Sequence, residues 1–201
     1  MNLITWDDVL AVKPCTGTRE KYSKLFPPDS KLAIKKIIKT MMKHDHHADA
    51  NWLIVRFMSH KQKVQYAIFA VEQVLWIYEK KYPKDDRPRK AIEAAKVWLG
   101  NPCKETAYAA AYATNAAYAA ANAANAANAA YATNAANAAN AANAAYAAAY
   151  AAAYAANAAN AVYATNAAYA AANAANAANA VRKKLQEKIL NYGVKIIEME
   201  G

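Results

Sequence analysis

Glycine is scarce: the 201 residues include four. A loop that cradles phosphate needs several glycines, because backbone N–H groups must approach the ligand with no Cβ in the way. Nucleotide-hydrolysing and dinucleotide-binding classes are disfavoured on that count. Cysteine is equally sparse. Cys15 and Cys103 form no spaced motif, which argues against a disulfide framework and against a cysteine zinc site. Residues Met1 to Asp8 lack the basic and apolar stretches of a signal peptide, so a cytoplasmic setting is expected. No Ser-His-Asp, Cys-His or paired-carboxylate arrangement has a recognisable context. The expectation is a non-enzymatic protein with no cofactor.

A second absence is local. From Ala107 to Ala180 there is no charge, no glycine, no proline and no bulky aliphatic residue beyond Val162. Those 74 residues are 47 Ala, 14 Asn, 9 Tyr, 3 Thr and 1 Val. The eighteen letters of Tyr112–Ala129 recur as Tyr163–Ala180, and a third YATNAA starts at Tyr131, the signature of a repeat. Alanine is the best helix former and nothing here breaks a helix. Strand is disfavoured by composition and by the lack of a period of two. A membrane span is disfavoured because asparagine at roughly every third residue would put too many amides into hydrocarbon. One continuous helix would run about 111 Å. From Asn122 to Tyr146 the non-alanine residues other than Thr133 recur every third position, so the polar stripe winds around the axis and no fixed face survives. Several antiparallel helices packed through alanine are therefore expected, with Thr114, Thr133 and Thr165 as candidate N-caps. The series Tyr146, Tyr150, Tyr154 shares one helix face, as packing or as the wall of a polar cavity.

All the charge lies outside this tract: 25 Lys and Arg against 15 Asp and Glu, a net +10. Residues 1–106 read as a basic helical subdomain, 107–180 as the repetitive helices and 181–201 as a closing helix, together one compact all-α unit. Thr5-Trp6-Asp7-Asp8 resembles a capping box, with Pro14 and Gly17 ending its helix. Thr18 opens a brief helix towards Phe26. Asp29 or Ser30 starts another, bearing Leu32, Ile34, Ile37, Ile38, Met41 and Met42. Ser59 opens the clearest one, apolar at Val64, Ala67, Ile68, Val71, Leu75 and Tyr78 and closed by Pro83. Asp86 is a natural N-cap for Arg87–Leu99, with Pro88 in the first turn and Gly100 just past the end. Arg182–Tyr192 looks amphipathic.

The stretch from Tyr82 to Leu99, which contains Asp85-Asp86-Arg87-Pro88-Arg89-Lys90-Ala91-Ile92-Glu93-Ala94-Ala95, precedes an Ala/Tyr run and resembles a family of small bacterial and phage proteins catalogued as immunity proteins of the Imm-5-like type. The pattern Asp49, Trp52-Leu53, Arg56 and the opening Trp6 to Leu10 are similar to that family as well. Members usually carry Arg or Glu among the alanines, where this chain has Asn. The resemblance implies an all-α protein acting in a conflict system and assigns no catalytic residue.

Arg87, Arg89 and Lys90 form the densest basic cluster, with Lys80, Lys81 and Lys84 nearby, at a helix N-terminus that favours anions. The cluster either recognises phosphate or carboxylate, or pairs with Asp85, Asp86 or Glu93 to fix a helix corner. Arg56, Trp52 and Tyr108 complete the candidate ligand-binding set. Trp52, Trp76, Trp98 and Tyr78 read as core, with stacking on a ring as the alternative. The lysines of the Lys31–Lys43 run read as a solvated helix face. His44-Asp45-His46-His47-Ala48-Asp49 reads as a polar interhelix loop rather than a metal site, because adjacent histidines on a helix diverge by about 100°. The functional expectation is sequestration of an anionic, nucleotide-like signal, as in phage anti-defence. A protein toxin is the alternative partner, nucleic acid a weaker one, and no membrane is involved. Exposed Ala/Tyr faces offer a homo-oligomer interface.

Overall fold

A computed structural model describes residues 3–14, 16–23, 26–27, 29–73, 75–103, 105–106 and 179–199. The expectations for residues 107–178, including the threonine caps, the tyrosine series and Tyr108, lie outside these residues.

The chain opens with β1 (Leu3–Ile4), which pairs antiparallel with β2 (Leu32–Ala33), Leu3 opposite Ala33 and Ile4 opposite Leu32. All other regular structure among the described residues is helical: α1 (Trp6–Ala11), α2 (Thr16–Ser23), α3 (Ile34–Lys43), α4 (His47–Ile54), a 3-10 turn (Val55–Phe57), α5 (His60–Glu72), α6 (Leu75–Lys81), α7 (Arg87–Gly100) and α8 (Asn179–Met199). The protein is predominantly α.

Local chemistry accounts for the starts of α1 and α5. The Thr5 hydroxyl accepts from the Asp8 amide, and the Asp8 carboxylate accepts from the Thr5 amide at 2.8 Å, a complete capping box. Ser59 and Gln62 repeat the motif at α5, where the Ser59 amide donates to Gln62 Oε1 at 2.8 Å. Asp45 adopts a left-handed backbone (φ 63°), which turns the chain sharply between α3 and α4.

Several boundaries depart from the sequence reading. Gly17 does not end a helix but lies inside α2. The helix expected from Asp29 or Ser30 starts at Ile34, because Leu32 and Ala33 pair with the N-terminal strand instead. His47 to Asp49 belong to α4 rather than to a loop. The long helix from Ser59 divides at Gln73, whose side-chain amide donates to the Phe69 carbonyl at 2.9 Å and so takes up a helical acceptor. Gly100 is the last residue of α7, not the residue beyond it. The closing helix runs past Gly193 to Met199, because Val194 and Ile196 are buried there.

The core is formed by Ile37, Ile38 and Met41 of α3, Leu53 and Ile54 of α4, Tyr66, Ala67, Ala70 and Val71 of α5, Ala91, Ile92 and Ala95 of α7 and Ile189, Leu190, Val194 and Ile196 of α8. Helix α8 packs on α5, α4 and α3. Polar ties register it: buried Gln62 donates to the Ile196 carbonyl at 3.0 Å, Lys35 pairs with Glu198 at 3.1 Å, and the Tyr192 ring stacks on Phe69 at 3.9 Å. Tyr66 is fully buried and donates to Asn51 Oδ1 at 2.7 Å. Of the residues read as core, Tyr78 is buried, Trp52 and Trp98 pack partly against the core, and Trp76 is 58% exposed. Trp76 lies outward on α6, while Leu75 and Tyr78 of the same helix are buried.

Gly193 marks the closest approach of α8. A Cβ there would lie 2.7 Å from Tyr66 Cε2 and 2.9 Å from Ile54 Cδ1. The Tyr66 ring is held by its hydrogen bond and cannot give way. Gly193→Ala should therefore lose about 1–2 kcal/mol, because overpacking outweighs the gain in helix propensity. Denaturant unfolding checks this, and an unchanged or higher midpoint would contradict it.

Candidate functional site

Two groups of cations dominate the described surface, and they differ in what surrounds them. At the α6–α7 corner Arg87, Arg89 and Lys90 each have an acidic partner. Arg87 forms a two-pronged pair with Asp85, Nε to Oδ1 at 2.8 Å and Nη2 to Oδ2 at 2.6 Å. Its amide donates to Asp85 Oδ1 at 3.2 Å, and Tyr78 donates to Oδ2 at 2.8 Å. Asp85 thus does the capping expected of Asp86, whose side chain makes no cap bond and pairs with Lys90 at 2.9 Å. Arg89 Nε meets Glu79 Oε1 at 2.6 Å, tying α7 to α6. Of the two readings of this cluster, the fixed helix corner matches the contacts.

The second group is largely uncompensated among the described residues. Helix α3 presents Lys35, Lys36, Lys39 and Lys43 opposite its buried Ile34, Ile37, Ile38 and Met41, and contains no acidic residue. Lys35 alone among them has an acidic partner within the described residues. At the α4–α5 corner the Arg56 guanidinium lies over the Trp52 ring, 3.6 Å from its centroid, and Nη1 donates to the Trp52 carbonyl at 2.6 Å. Burial lowers the pKa of Arg56. Burial and the like charge of Arg56 together lower that of Lys63. The structure thus brings Arg56 and Trp52 together, and Lys63, which the sequence reading passed over, feels the like charge of Arg56. The only sequence signal for Lys63 was its position one turn into a capped helix.

His47 is buried, with Nδ1 3.3 Å from Asp45 and Nε2 3.5 Å from Glu187 of α8. Lys183 also reaches Asp45, at 3.1 Å. Among the described residues no three His, Cys, Asp or Glu side chains converge as metal ligands. The cavity between α4, α5 and α8, lined by His47, Asn51, Tyr66 and Leu190, has room for about 10 Å³, as does another beside Trp6. Each holds a single water at most. No helix among the described residues is long and apolar enough to cross a membrane.

Residues 54–194 match the model of a family described as "Imm-5 like putative immunity protein". The chain belongs to the Imm-5-like family. The match covers both cation groups except α3 and Trp52, and it spans the alanine tract. No curated protein and no solved structure matches the chain.

The Arg87–Asp85 pair has a measurable signature. Hydrogen bonds from Arg87 hold the Asp85 carboxyl well below its ordinary range, at about 2. Asp85 therefore ionises more easily folded than unfolded. Its contribution is complete above about pH 4 and is lost as the pH falls towards about 2, a change of about 2 kcal/mol. Asp85→Asn should abolish this part of the acid sensitivity and lower stability at neutral pH by a similar amount. Urea titrations at pH 2.5 and pH 7 check it.

Proposed function

We propose that this chain is a non-enzymatic neutralising protein that blocks an acidic protein toxin by docking a positively charged face against it. Family membership supports the conflict-system role. The observation that carries the finer reading is the α3 face, where Lys36, Lys39 and Lys43 lack acidic partners among the described residues. A cationic face with no internal counter-charge attracts an acidic partner, speeds encounter and discriminates against basic ones. The paired arginines of α7 are already neutralised and contribute little to such a field.

A second reading, capture of an anionic nucleotide-like signal, has one observation in its favour: the Arg56–Trp52 stack, which joins a cation to an aromatic face. The shape of the described surface weighs against it, because a sequestered small molecule is normally buried over most of its surface: the more enclosed cavities have room for one water, and the wider clefts, about 360 Å³ beside Lys36 and Lys39 and about 590 Å³ beside Asp85 and Arg87, lie open to solvent.

Co-expression with a toxin encoded beside this chain tests the first reading. Growth should be rescued, and Lys36→Glu/Lys39→Glu/Lys43→Glu should abolish the rescue while the variant stays folded. Complex formation should weaken as salt rises from 0.05 to 0.5 M. Rescue that is indifferent to the charge reversal would refute the docking face. Calorimetric binding of cyclic dinucleotides or ADP-ribose species, without toxin rescue, would establish the second reading instead.

A further inference from the structure

We infer that Arg56 and Lys63 form an oxyanion-binding notch on the α4–α5 corner, preorganised by Trp52 and suited to a carboxylate or phosphate group presented by the partner. This rests on the neutralising reading for its biological purpose but not for its chemistry.

Three features lead to it. The Arg56 guanidinium is fixed on two sides, by the Trp52 ring beneath it and by the Trp52 carbonyl that takes Nη1. Its Nε and Nη2 protons remain, and together they form the edge that binds two oxygens of one carboxylate or phosphate. Because the fork is already held, little side-chain entropy is lost on binding. Second, Arg56 and Lys63 are both half-buried, and neither has an acidic partner among the described residues. Like charges that repel each other and are partly withdrawn from water without a counter-charge are destabilising in the empty protein, and a bound oxyanion relieves that cost. The depressed affinity of Lys63 for its proton agrees with such frustration. Third, the location is rigid. The 3-10 turn Val55–Phe57 sits between α4 and α5, and the Ser59–Gln62 capping box fixes the first turn of α5 on which Lys63 stands. The internally paired α7 corner has none of this frustration, which separates the two basic clusters by chemistry rather than by charge count.

The test uses the full chain and small probes. Glutarate and inorganic phosphate are titrated separately while the Arg56 Nε–Hε and Lys63 Nζ signals are followed by NMR. Saturable shifts of both groups are expected, with the apparent dissociation constant raised at least about tenfold by Arg56→Gln. The α3 variant Lys36→Glu should leave that constant nearly unchanged. Lys63→Gln, at a half-buried rather than a core position, serves as a second probe should Arg56→Gln unfold. Preference for glutarate identifies an acidic side chain as the natural occupant, and preference for phosphate identifies a phosphorylated one. No saturable shift with either anion, or shifts unaltered by both substitutions, would overturn the notch. That result would leave toxin rescue through α3 untouched, so the two ideas fail separately.

Discussion

The structure depends on how closely α8 fits against α4 and α5. At Gly193 there is no room for even a methyl group between α8, the Tyr66 ring and Ile54. The fit is supported by one buried amide, Gln62, which satisfies the Ser59 amide at one end and the Ile196 carbonyl at the other. A single side chain therefore caps one helix and fixes the register of another. If α8 slipped, the Gln62 donor would be left buried and unpaired, which costs more than a typical hydrogen bond contributes. Because the capping box also holds the corner that carries Arg56 and Lys63, the docking of α8 and the geometry of the proposed notch share a foundation.

The described cations show why a net charge is a poor guide to a binding surface. The α6–α7 corner is dense in arginine and lysine, yet each of Arg87, Arg89 and Lys90 meets a carboxylate. There the charge serves architecture, joining α7 to α6 and shaping the turn before it. On α3 the lysines have another origin. The buried face requires isoleucine and methionine, and the opposite face needs solubility, which lysine supplies. That choice leaves an uncompensated field on one side of the molecule.

What could be read in advance divides along sequence distance. Local signals held: Thr5 and Asp8 cap α1 as their spacing implies, α5 begins directly after Ser59, Pro88 sits in the first turn of α7, and the apolar period of α5 matches its buried face. Features set by tertiary contact were hidden. The pairing of Leu3 with Ala33 joins residues thirty apart and consumes the start of an otherwise helical segment. At the break at Gln73 the side-chain amide donates to the Phe69 carbonyl, a contact with no sequence signature. The preference of Arg87 for Asp85 over Asp86 depends on Tyr78 holding the same carboxylate from α6. For the candidate site, Trp52 and Arg56 were legible as types, but the neighbour that gives them meaning, Lys63, emerges only when α4 and α5 fold across the corner.

The hydrogen bond from Gln62 to Ile196 spans 134 residues of chain. At a synthesis rate of about 5–20 residues per second, roughly 7–27 s pass between the emergence of α5 and the arrival of the helix that covers it. Throughout that interval the sides of α4 and α5 that α8 covers in the finished fold lack that helix. Newly made chains should therefore engage holding chaperones during translation, so cellular yield will respond to elongation speed through the repeats as much as to the thermodynamics of the finished protein.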